Sequence, residues 1–332
     1  MIKVGINGFG RIGRMVFRAA QEHNDIDVVA VNDLGNPSDL KYMLQYDSVH
    51  KAYPGEVSSK DDLLIVDGKE IKIFSSTDPA QIPWHEHGVD VVVECTGRFR
   101  KKEDAEKHIT GGKAKKVIIS APGKGGIKSL VMGVNEDIYD KENDHVVSNA
   151  SCTTNCLAPV AKVLNDNYGI EKGFMTTTHS YTADQLIVDG HHKKDPRRGR
   201  AAAQNIVPTS TGAAIAVTEC IPELKGKLDG IALRVPVPCG SIVDLNAVLK
   251  KEVSKDELHK LFEDVCKTHM KGILQLSFEP LVSSDILGNN HSSIVDGALT
   301  MVNGNMVKIT AWYDNEWGYS HRMVDMIRHV MK

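Results

Sequence analysis

A cysteine stands where the sequence predicts that a strand passes directly into a helix. The run Ser148-Asn149-Ala150-Ser151-Cys152-Thr153-Thr154-Asn155-Cys156 follows an apolar segment and opens a stretch with helical spacing, which puts Cys152 at or near the helix start. Most cysteines are buried and inert, and a free thiol with a pKa of about 8.5 is only about 3% thiolate at pH 7. A helix N-terminus lowers the pKa of a thiol, so Cys152 is a candidate nucleophile.

The activation that Cys152 needs exceeds what a helix terminus supplies. Lowering the thiol pKa to about 6 requires roughly 3.4 kcal/mol, whereas the helix dipole contributes about 0.3–1 kcal/mol and at most about 2. A second positive group is therefore required, and we predict an imidazolium beside the sulfur. Among the 14 histidines, His179 is the candidate, because it follows a run of three threonines with strand character and precedes a polar loop. Cys156, one helical turn further on, is expected to be a small packed residue.

A glycine-rich turn near the N-terminus carries the second chemical signal. Gly8-Phe9-Gly10-Arg11-Ile12-Gly13 fits the pattern G-x-G-x-x-G, which alone is weak evidence. Here a predicted strand precedes the pattern, a predicted helix follows it, and Asp33 ends the next strand 20 residues after Gly13. This context predicts dinucleotide binding, since Gly8 and Gly10 let the backbone approach a pyrophosphate and the helix N-terminus attracts the anion.

Asp33 also predicts which dinucleotide binds. Its carboxylate would accept hydrogen bonds from the adenosine ribose hydroxyls and would repel a 2′-phosphate, which favours NAD over NADP. The basic loop His191-His192-Lys193-Lys194 could tolerate a 2′-phosphate, so some use of NADP stays open. Neighbouring histidines on a loop without further ligands do not indicate a metal, and no metal site is predicted.

The order of strand and helix signals divides the chain into two domains. In residues 1–150, short apolar strands alternate with helical or loop segments, which predicts βαβ units in a Rossmann-type, doubly wound parallel sheet. The Asp67-Gly68 turn predicts one hairpin within this domain. In residues 151–315, long antiparallel-looking strands with a few helices predict an α+β catalytic domain with a mostly antiparallel sheet. Its predicted strands are 173–180, 230–236, 241–250, 273–279 and 299–312.

Composition agrees with a two-domain globular protein. The 332 residues are 41% hydrophobic and 25% charged, and the net charge of -3 provides no global field that would attract nucleic acid or an anionic membrane. No apolar stretch approaches the roughly 18 residues that span a bilayer, and no secretory core is recognised at the N-terminus. The six cysteines form no Cys-x-x-Cys pair, so a reducing, cytoplasmic location is expected, with neither a membrane nor a specific nucleic acid as partner.

Several motifs together resemble the phosphorylating glyceraldehyde-3-phosphate dehydrogenase family. They occupy residues 7–14, 148–161, 179–185, 197–216, 234–238 and 312–320, so the resemblance runs the whole length. It implies oxidation of D-glyceraldehyde 3-phosphate to 1,3-bisphosphoglycerate with NAD and inorganic phosphate, through a hemithioacetal and a thioester on Cys152, in glycolysis or gluconeogenesis. It also implies a cytoplasmic homotetramer whose C-terminal helix, 316–332, returns to the NAD-binding domain.

The resemblance implies roles residue by residue. Cys152 would be the nucleophile and His179 its acid–base partner. Residues implied in NAD binding are Gly8, Gly10, Arg11, Ile12, Gly13, Asp33, Ser120 and Asn315, the last holding the nicotinamide amide. Thr182 and Arg234 would bind the substrate phosphate. Residues implied at the inorganic phosphate are Ser151, Thr153, Thr211 and Gly212, helped by Arg197 or Arg198, between which the sequence does not choose.

Two departures from the family pattern and two alternatives remain. Ile215 stands where the family usually has lysine, which removes a charge beside the phosphate pocket, and Cys239-Gly240 replaces a more usual Asn-Val. Erythrose-4-phosphate dehydrogenase is the nearest alternative, but its relatives tend to lack the Tyr181-Thr182 pair and the Ser210-Thr211-Gly212 turn. A polyanion- or RNA-binding protein that uses the basic loop is disfavoured by the net charge of -3.

Overall fold

The computed structural model describes all 332 residues, which form two compact units. The first unit contains residues 1–130, 136–150 and 320–332, and the second contains residues 131–135 and 151–319. Of the eight helices, none combines the length and the apolar character that a bilayer-spanning helix needs.

The first unit is built on a nine-stranded sheet. Its elements are β1 (Ile2–Asn7), α1 (Arg11–Ala20), β2 (Ile26–Asn32), α2 (Pro37–Gln45), β3 (Val57–Lys60), β4 (Leu63–Val66), β5 (Lys69–Phe74), β6 (Val91–Glu94), α3 (Lys102–Ala105), α4 (Lys107–Thr110), β7 (Lys116–Ile119), β8 (Lys128–Ser129) and β9 (Val146–Ser148). The strand order is β3-β4-β5-β2-β1-β6-β7-β9-β8, parallel from β5 to β8. The predicted Rossmann-type sheet is therefore confirmed.

Burial explains why the strands of this sheet are continuous apolar runs. Every residue of β6 and β7 is buried, as expected when helices cover both faces of a parallel sheet. The ring of Trp84 lies in the core with Val92 and Val117. The predicted hairpin is confirmed as the antiparallel pair β4–β5, where Asp67 and Gly68 adopt φ of 50° and 78°.

The second unit is built on an eight-stranded sheet. Its elements are α5 (Cys152–Tyr168), β10 (Ile170–Ser180), β11 (Val207–Ser210), α6 (Ala213–Cys220), β12 (Leu228–Val235), β13 (Ser241–Leu249), α7 (Lys255–Lys267), β14 (Leu274–Ser277), β15 (Ser293–Asp296), β16 (Met301–Asn303) and β17 (Met306–Tyr313). The last helix, α8 (Trp317–Met331), begins in the second unit and belongs to the first from Ser320 onward.

Most pairs in the second sheet are antiparallel, as predicted, but two are not. The strand order is β11-β12-β10-β13-β17-β15-β14, with β16 beside β17. β10 pairs in parallel with β12, and β14 pairs in parallel with β15. The prediction of a mostly antiparallel sheet is therefore confirmed. The β10–β12 pair runs parallel because β11 and α6 intervene between its strands, and a crossover of that length allows two strands to run in the same direction.

The two faces of this sheet differ. Met175, Val243 and Leu245 are buried on one face, where α5 contacts β13, β15 and β17. The strand registers put apolar or aromatic side chains on the opposite face, which we call the open face: Phe174, Ile231, Ile242, Met306 and Trp312. Phe174 is 73% exposed and Ile231 is 50% exposed, an unusual state for large apolar side chains.

Candidate active site

Cys152 is the first residue of α5, in agreement with the sequence prediction. The Oγ of Ser151, the N-cap, accepts a hydrogen bond from the Thr154 N–H at 3.1 Å. The buried residue before it, Ala150, has φ of 53°, a conformation that is strained for a residue with a Cβ. The cap and the tight turn together fix the direction in which the half-buried Cys152 leaves the backbone.

Cys152, His179 and Arg234 form one cluster. The Sγ of Cys152 lies 3.4 Å from Nε2 of His179, whose Nδ1 lies 2.7 Å from the Ser180 carbonyl oxygen and 2.8 Å from Nη1 of Arg234. His179 and Arg234 are register partners in the parallel pair β10–β12, so strand pairing places one beside the other. This is the pairing that the sequence analysis had not foreseen.

The electrostatics of the cluster do not support the predicted imidazolium. Burial raises the pKa of the Cys152 thiol, against opposing contributions from Arg234 and Thr153. Burial and the charge of Arg234 lower the pKa of His179 to about 3. Both shifts disfavour transfer of the proton from the thiol to the imidazole. The neutral thiol beside the neutral imidazole is therefore the favoured state of the pair.

The neighbours of Nδ1 decide which tautomer of His179 is present. A guanidinium only donates, so an Nδ1 that accepts from Arg234 leaves the ring proton on Nε2, facing the sulfur. An Nδ1–H that donates to the Ser180 carbonyl leaves Nε2 free to accept the thiol proton. The position of Arg234 therefore controls whether His179 can act as a proton acceptor towards Cys152.

Tyr313 is a site residue that the sequence analysis missed. Its buried hydroxyl lies 2.9 Å from Oγ1 of both Thr153 and Thr177, and its ring contacts that of His179 edge to face at 5.8 Å between centroids. It therefore ties the first turn of α5 to β10 and supports the imidazole. The available signal was an aromatic residue at the end of a strand, next to the motif that contains Asn315.

The residues predicted for inorganic phosphate lie at two helix N-termini. Ser151 and Thr153 belong to the start of α5, while Thr211 and Gly212 precede α6, where Oγ1 of Thr211 accepts from the Ala213 N–H at 3.2 Å. The two helices contact each other. Exposed N–H groups and hydroxyls in such positions suit an anion.

The structure distinguishes the two candidate arginines. Arg198 donates to Oγ1 of Thr209 at 2.8 Å and to the Ser210 carbonyl at 3.1 Å, and it pairs with Asp184 at 2.5 Å. Its guanidinium is thus fixed beside the turn that contains Thr211. The side chain of Arg197 instead lines a shallow surface pocket, with Ile231 in the same lining.

Two further residues that the sequence analysis named are Thr182 and Ile215. Thr182 opens a turn after β10, in which its N–H donates to Oε1 of Gln185 at 3.4 Å. Ile215, where the family usually has lysine, is 58% exposed on α6.

In the first unit, the glycine-rich turn joins β1 to α1 and leaves room for a dinucleotide. Gly8 has φ of 91°, and a Cβ there would lie 2.8 Å from the Thr96 nitrogen. A Cβ on Gly13 would lie 2.1 Å from the Gly8 carbonyl oxygen, so close packing requires both glycines. A Cβ on Gly10 would have no atom within 4 Å, so this part of the backbone is open to a ligand. The cradle fits the pyrophosphate of NAD.

The carboxylates at this edge of the sheet hold the loops. Asp33 accepts from the Phe9 N–H at 2.7 Å and from the Gly35 N–H at 2.9 Å. Arg11 forms an ion pair with Asp47. Ile12 is the second residue of α1, and Ser120 directly follows β7, where its N–H donates to the Glu94 carbonyl.

Glu94 is a second residue that the sequence analysis did not single out. Its buried carboxylate accepts from the Thr96 N–H at 2.8 Å and from Nδ2 of Asn7, and it lies 3.2 Å from Nε2 of His108. Since Nδ1 of His108 accepts from the indole of Trp84 at 3.0 Å, the ring proton is on Nε2 and points at Glu94. The carboxyl ends of β1 and β6, between which ligands bind in such sheets, are tied together in this way.

Comparison with known proteins identifies the family of both units. Residues 2–102 match the family model described as "Glyceraldehyde 3-phosphate dehydrogenase, NAD binding domain", and residues 151–315 match the corresponding "C-terminal domain" model. A protein named glyceraldehyde-3-phosphate dehydrogenase 1 from Bacillus cereus is 56% identical, covering 99% of this chain and 98% of the relative. Proteins named glyceraldehyde-3-phosphate dehydrogenase from Streptomyces coelicolor (58%; 98% and 97%) and Geobacillus stearothermophilus (57%; 99% and 98%) are similar over comparable lengths.

Proposed function

This chain belongs to the glyceraldehyde 3-phosphate dehydrogenase family, and from that membership we propose that it oxidises D-glyceraldehyde 3-phosphate to 1,3-bisphosphoglycerate with NAD and inorganic phosphate. The observation that carries the proposal is the contact of 3.4 Å between Sγ of Cys152 and Nε2 of His179. A nucleophile beside a proton acceptor is what aldehyde oxidation through a thioester requires. The reaction belongs to glycolysis or gluconeogenesis.

The two residues divide the chemistry between them. Cys152 attacks the aldehyde carbon as its thiol proton passes to His179, and His179 gives this proton to the former carbonyl oxygen. The hemithioacetal then carries a hydroxyl, and the imidazole is neutral again. His179 then takes the hydroxyl proton as the carbon loses hydride. NAD supplies the hydride acceptor. Inorganic phosphate attacks the thioester that remains, the acyl phosphate leaves, and the sulfur of Cys152 is released.

Arg234 links substrate binding to the state of His179. The phosphate of the substrate is a better partner for a guanidinium than a neutral imidazole nitrogen is. A guanidinium that turns from Nδ1 to this phosphate leaves Nδ1–H to donate to Ser180, and Nε2 can then accept the thiol proton. Thr182 completes the same phosphate site in this proposal.

The inorganic phosphate is assigned to Ser151, Thr153, Thr211 and Gly212. Of the two arginines, the contacts of Arg198 with Thr209 and Ser210 favour it as the partner of this anion. Arg197 is left without a role in catalysis.

We assign NAD to residues 1–150 with the C-terminal helix 316–332, and catalysis to residues 151–315. The glycine cradle and Asp33 support the first assignment, and Arg11, Ile12 and Ser120 adjoin the same crevice. Asn315 in the second unit is assigned to the carboxamide of nicotinamide. Both oxygens of the Asp33 carboxylate already accept N–H groups of the turn, which orients their remaining lone pairs for the ribose hydroxyls.

We further propose that the protein is a cytoplasmic homotetramer. The open face, with Phe174 and Ile231 exposed, supports self-association, because a monomer rarely leaves such a surface to water. Erythrose-4-phosphate dehydrogenase is not favoured, since each of the three relatives described above carries the glyceraldehyde-3-phosphate dehydrogenase name.

The test is NADH formation from glyceraldehyde 3-phosphate, with and without inorganic phosphate. Turnover should depend on phosphate and should be lost in Cys152→Ser, while Cys266→Ser, a change of another half-buried thiol, should keep it. Erythrose 4-phosphate should be the poorer substrate by kcat/KM. Unchanged turnover in Cys152→Ser, or a preference for erythrose 4-phosphate, would discard the proposal.

A further inference from the structure

Three strong donors converge on one atom, Oδ1 of the buried Asn315. The hydroxyl of Ser180 lies 2.9 Å from it, the hydroxyl of Ser241 lies 2.9 Å from it, and the Gly240 N–H lies 3.1 Å from it. The thiol of Cys239 approaches the same oxygen at 3.7 Å. These residues come from the end of β10 and from the turn that opens β13, so two strands hold one side chain.

The donors settle which way the amide of Asn315 faces. A backbone N–H can only donate, so the atom that faces Gly240 is the oxygen and not the amide nitrogen. The hydroxyl of Ser241 already accepts from the Ser180 N–H at 3.1 Å, and its own proton is directed to Oδ1. Oδ1 is thus saturated, and Nδ2 is the atom that Asn315 can offer to a ligand.

We propose that Ser180, Gly240 and Ser241 are positioning residues that make Asn315 a pure hydrogen-bond donor, so that the site selects pyridine dinucleotides whose ring substituent presents a carbonyl oxygen. The inference rests on the proposed function, in which Asn315 meets the nicotinamide carboxamide. An amide that is free to flip could bind either a carbonyl oxygen or an amino group of the ligand equally well. A fixed amide binds only one of the two rotamers of the nicotinamide carboxamide, and it thereby restricts the orientation of that group.

Cys239, which departs from the family pattern, adds contacts beside the residues that orient Asn315. The thiol donates to Oδ1 of Asp314 at 3.2 Å, and Asp314 itself accepts the Glu316, Trp317 and Gly288 N–H groups. The side chain of Cys239 is 2% exposed, so it packs the turn at Gly240 against the loop of Asn315. The residue that departs from the family pattern therefore lies beside the positioning residues and packs against the loop that they hold.

The sharpest variant is Asn315→Asp. Its inner oxygen keeps all the donors, so we expect folding, but its outer oxygen can no longer donate. Binding is measured with NADH, whose ring is uncharged, and with ADP-ribose, which lacks the ring. We expect the Kd for NADH to rise about 30-fold, as for a lost donor that faces an acceptor, with the Kd for ADP-ribose changed less than about twofold. A reduced analogue with 3-acetylpyridine, which keeps the carbonyl and lacks the amino group, should bind wild-type protein about as well as NADH.

Ser241→Ala tests whether the hydroxyl of Ser241 orients the amide of Asn315. It should weaken NADH by about three- to tenfold and leave ADP-ribose unaffected, since one of the orienting bonds is lost. The matched control is Thr300→Val, which removes another buried hydroxyl of the second unit and should change neither Kd. Equal losses for NADH and ADP-ribose, or no loss in Asn315→Asp, would overturn the inference. If the variants lose NADH binding selectively but the wild-type protein shows no phosphate-dependent turnover, the proposed function alone is refuted.

Discussion

Replacing Asp33 by asparagine should convert an NAD-selective site into one that tolerates NADP. The carboxylate accepts from Phe9 and Gly35, so each of its oxygens has one N–H partner. An asparagine keeps one acceptor, and its amino group then faces the second N–H. The change removes a full charge without removing volume, so its effect on the cofactor can be separated from a loss of packing.

The magnitude follows from two contributions. A hydrogen bond from a ribose hydroxyl to a charged acceptor is stronger than one to a neutral acceptor by about 1.4 kcal/mol, which lowers kcat/KM for NAD about tenfold. Repulsion between a carboxylate and a 2′-phosphate of about -1.5 charge at about 5 Å is at least about 1.2 kcal/mol even in water, and its removal raises kcat/KM for NADP about eightfold. The ratio of kcat/KM for NAD to that for NADP should therefore fall by roughly 50- to 100-fold.

Initial rates of reduced cofactor formation with NAD and NADP measure this ratio directly. Asp62→Asn is the matched control, because Asp62 is an exposed carboxylate of the same unit that pairs with Lys72. A ratio in Asp33→Asn within about threefold of wild type would show that the carboxylate does not face the ribose, and it would refute the assignment of Asp33.

Four further predictions test other parts of the structure. His179→Asn removes the nitrogen that lies 3.4 Å from the nucleophile and should lower kcat/KM by about 10²–10⁴, whereas near-normal turnover would exclude His179 as the acid–base group. Burial raises the pKa of Asp47, but hydrogen bonds from His50, Arg11 and Val49 outweigh it and lower this pKa to about 2. The ionised carboxylate therefore stabilises the folded protein above pH 3.8, and this contribution is lost as the pH falls towards 2. Asp47→Asn should lower the free energy of unfolding in urea by about 2 kcal/mol at pH 7 and by little near pH 2. Ile231→Arg places a charge on the open face and should reduce the sedimenting mass below that of a tetramer; an unchanged mass would exclude this face as an interface. Ile215→Lys should lower the KM for inorganic phosphate several-fold, and an unchanged KM would place residue 215 away from the anion.

Local signals in the sequence were sufficient for most elements that position the site. Helix α5 was predicted from Cys152 because an apolar segment and helical spacing occur in succession, and the helix begins there. Helix α7 begins at a capping box of Ser254 and Glu257, which is a local signal of the same kind. Helix α2 was missed, although Asn36 accepts from the Asp39 N–H and Pro37 occupies the first helical position, because its buried residues are only Leu40 and Leu44. Short strands such as β11 and β15 have too few residues to show a period.

Local signals in the sequence do not predict which distant strands pair with each other. The register of β10 against β12 depends on a crossover through α6, and this register is what places Arg234 beside His179. The same limitation hid Tyr313, whose hydroxyl meets Thr153 and Thr177 from a strand more than 130 residues away. Motif residues could be named from the chain, but their partners depend on the sheet that joins them.

Burial and one guanidinium together favour the neutral pair over the predicted ion pair. Nη1 of Arg234 lies 2.8 Å from Nδ1 of His179, where a positive charge opposes protonation of the ring by about 6 kcal/mol at an effective dielectric constant of about 20. The same charge also lowers the pKa of the Cys152 thiol, so Arg234 opposes the imidazolium while it favours the thiolate. An anion that draws Arg234 from Nδ1 would leave Nδ1–H to donate to the Ser180 carbonyl and Nε2 free to accept the thiol proton, so the substrate phosphate is expected both to anchor the aldehyde and to set the tautomer of the base beside the sulfur.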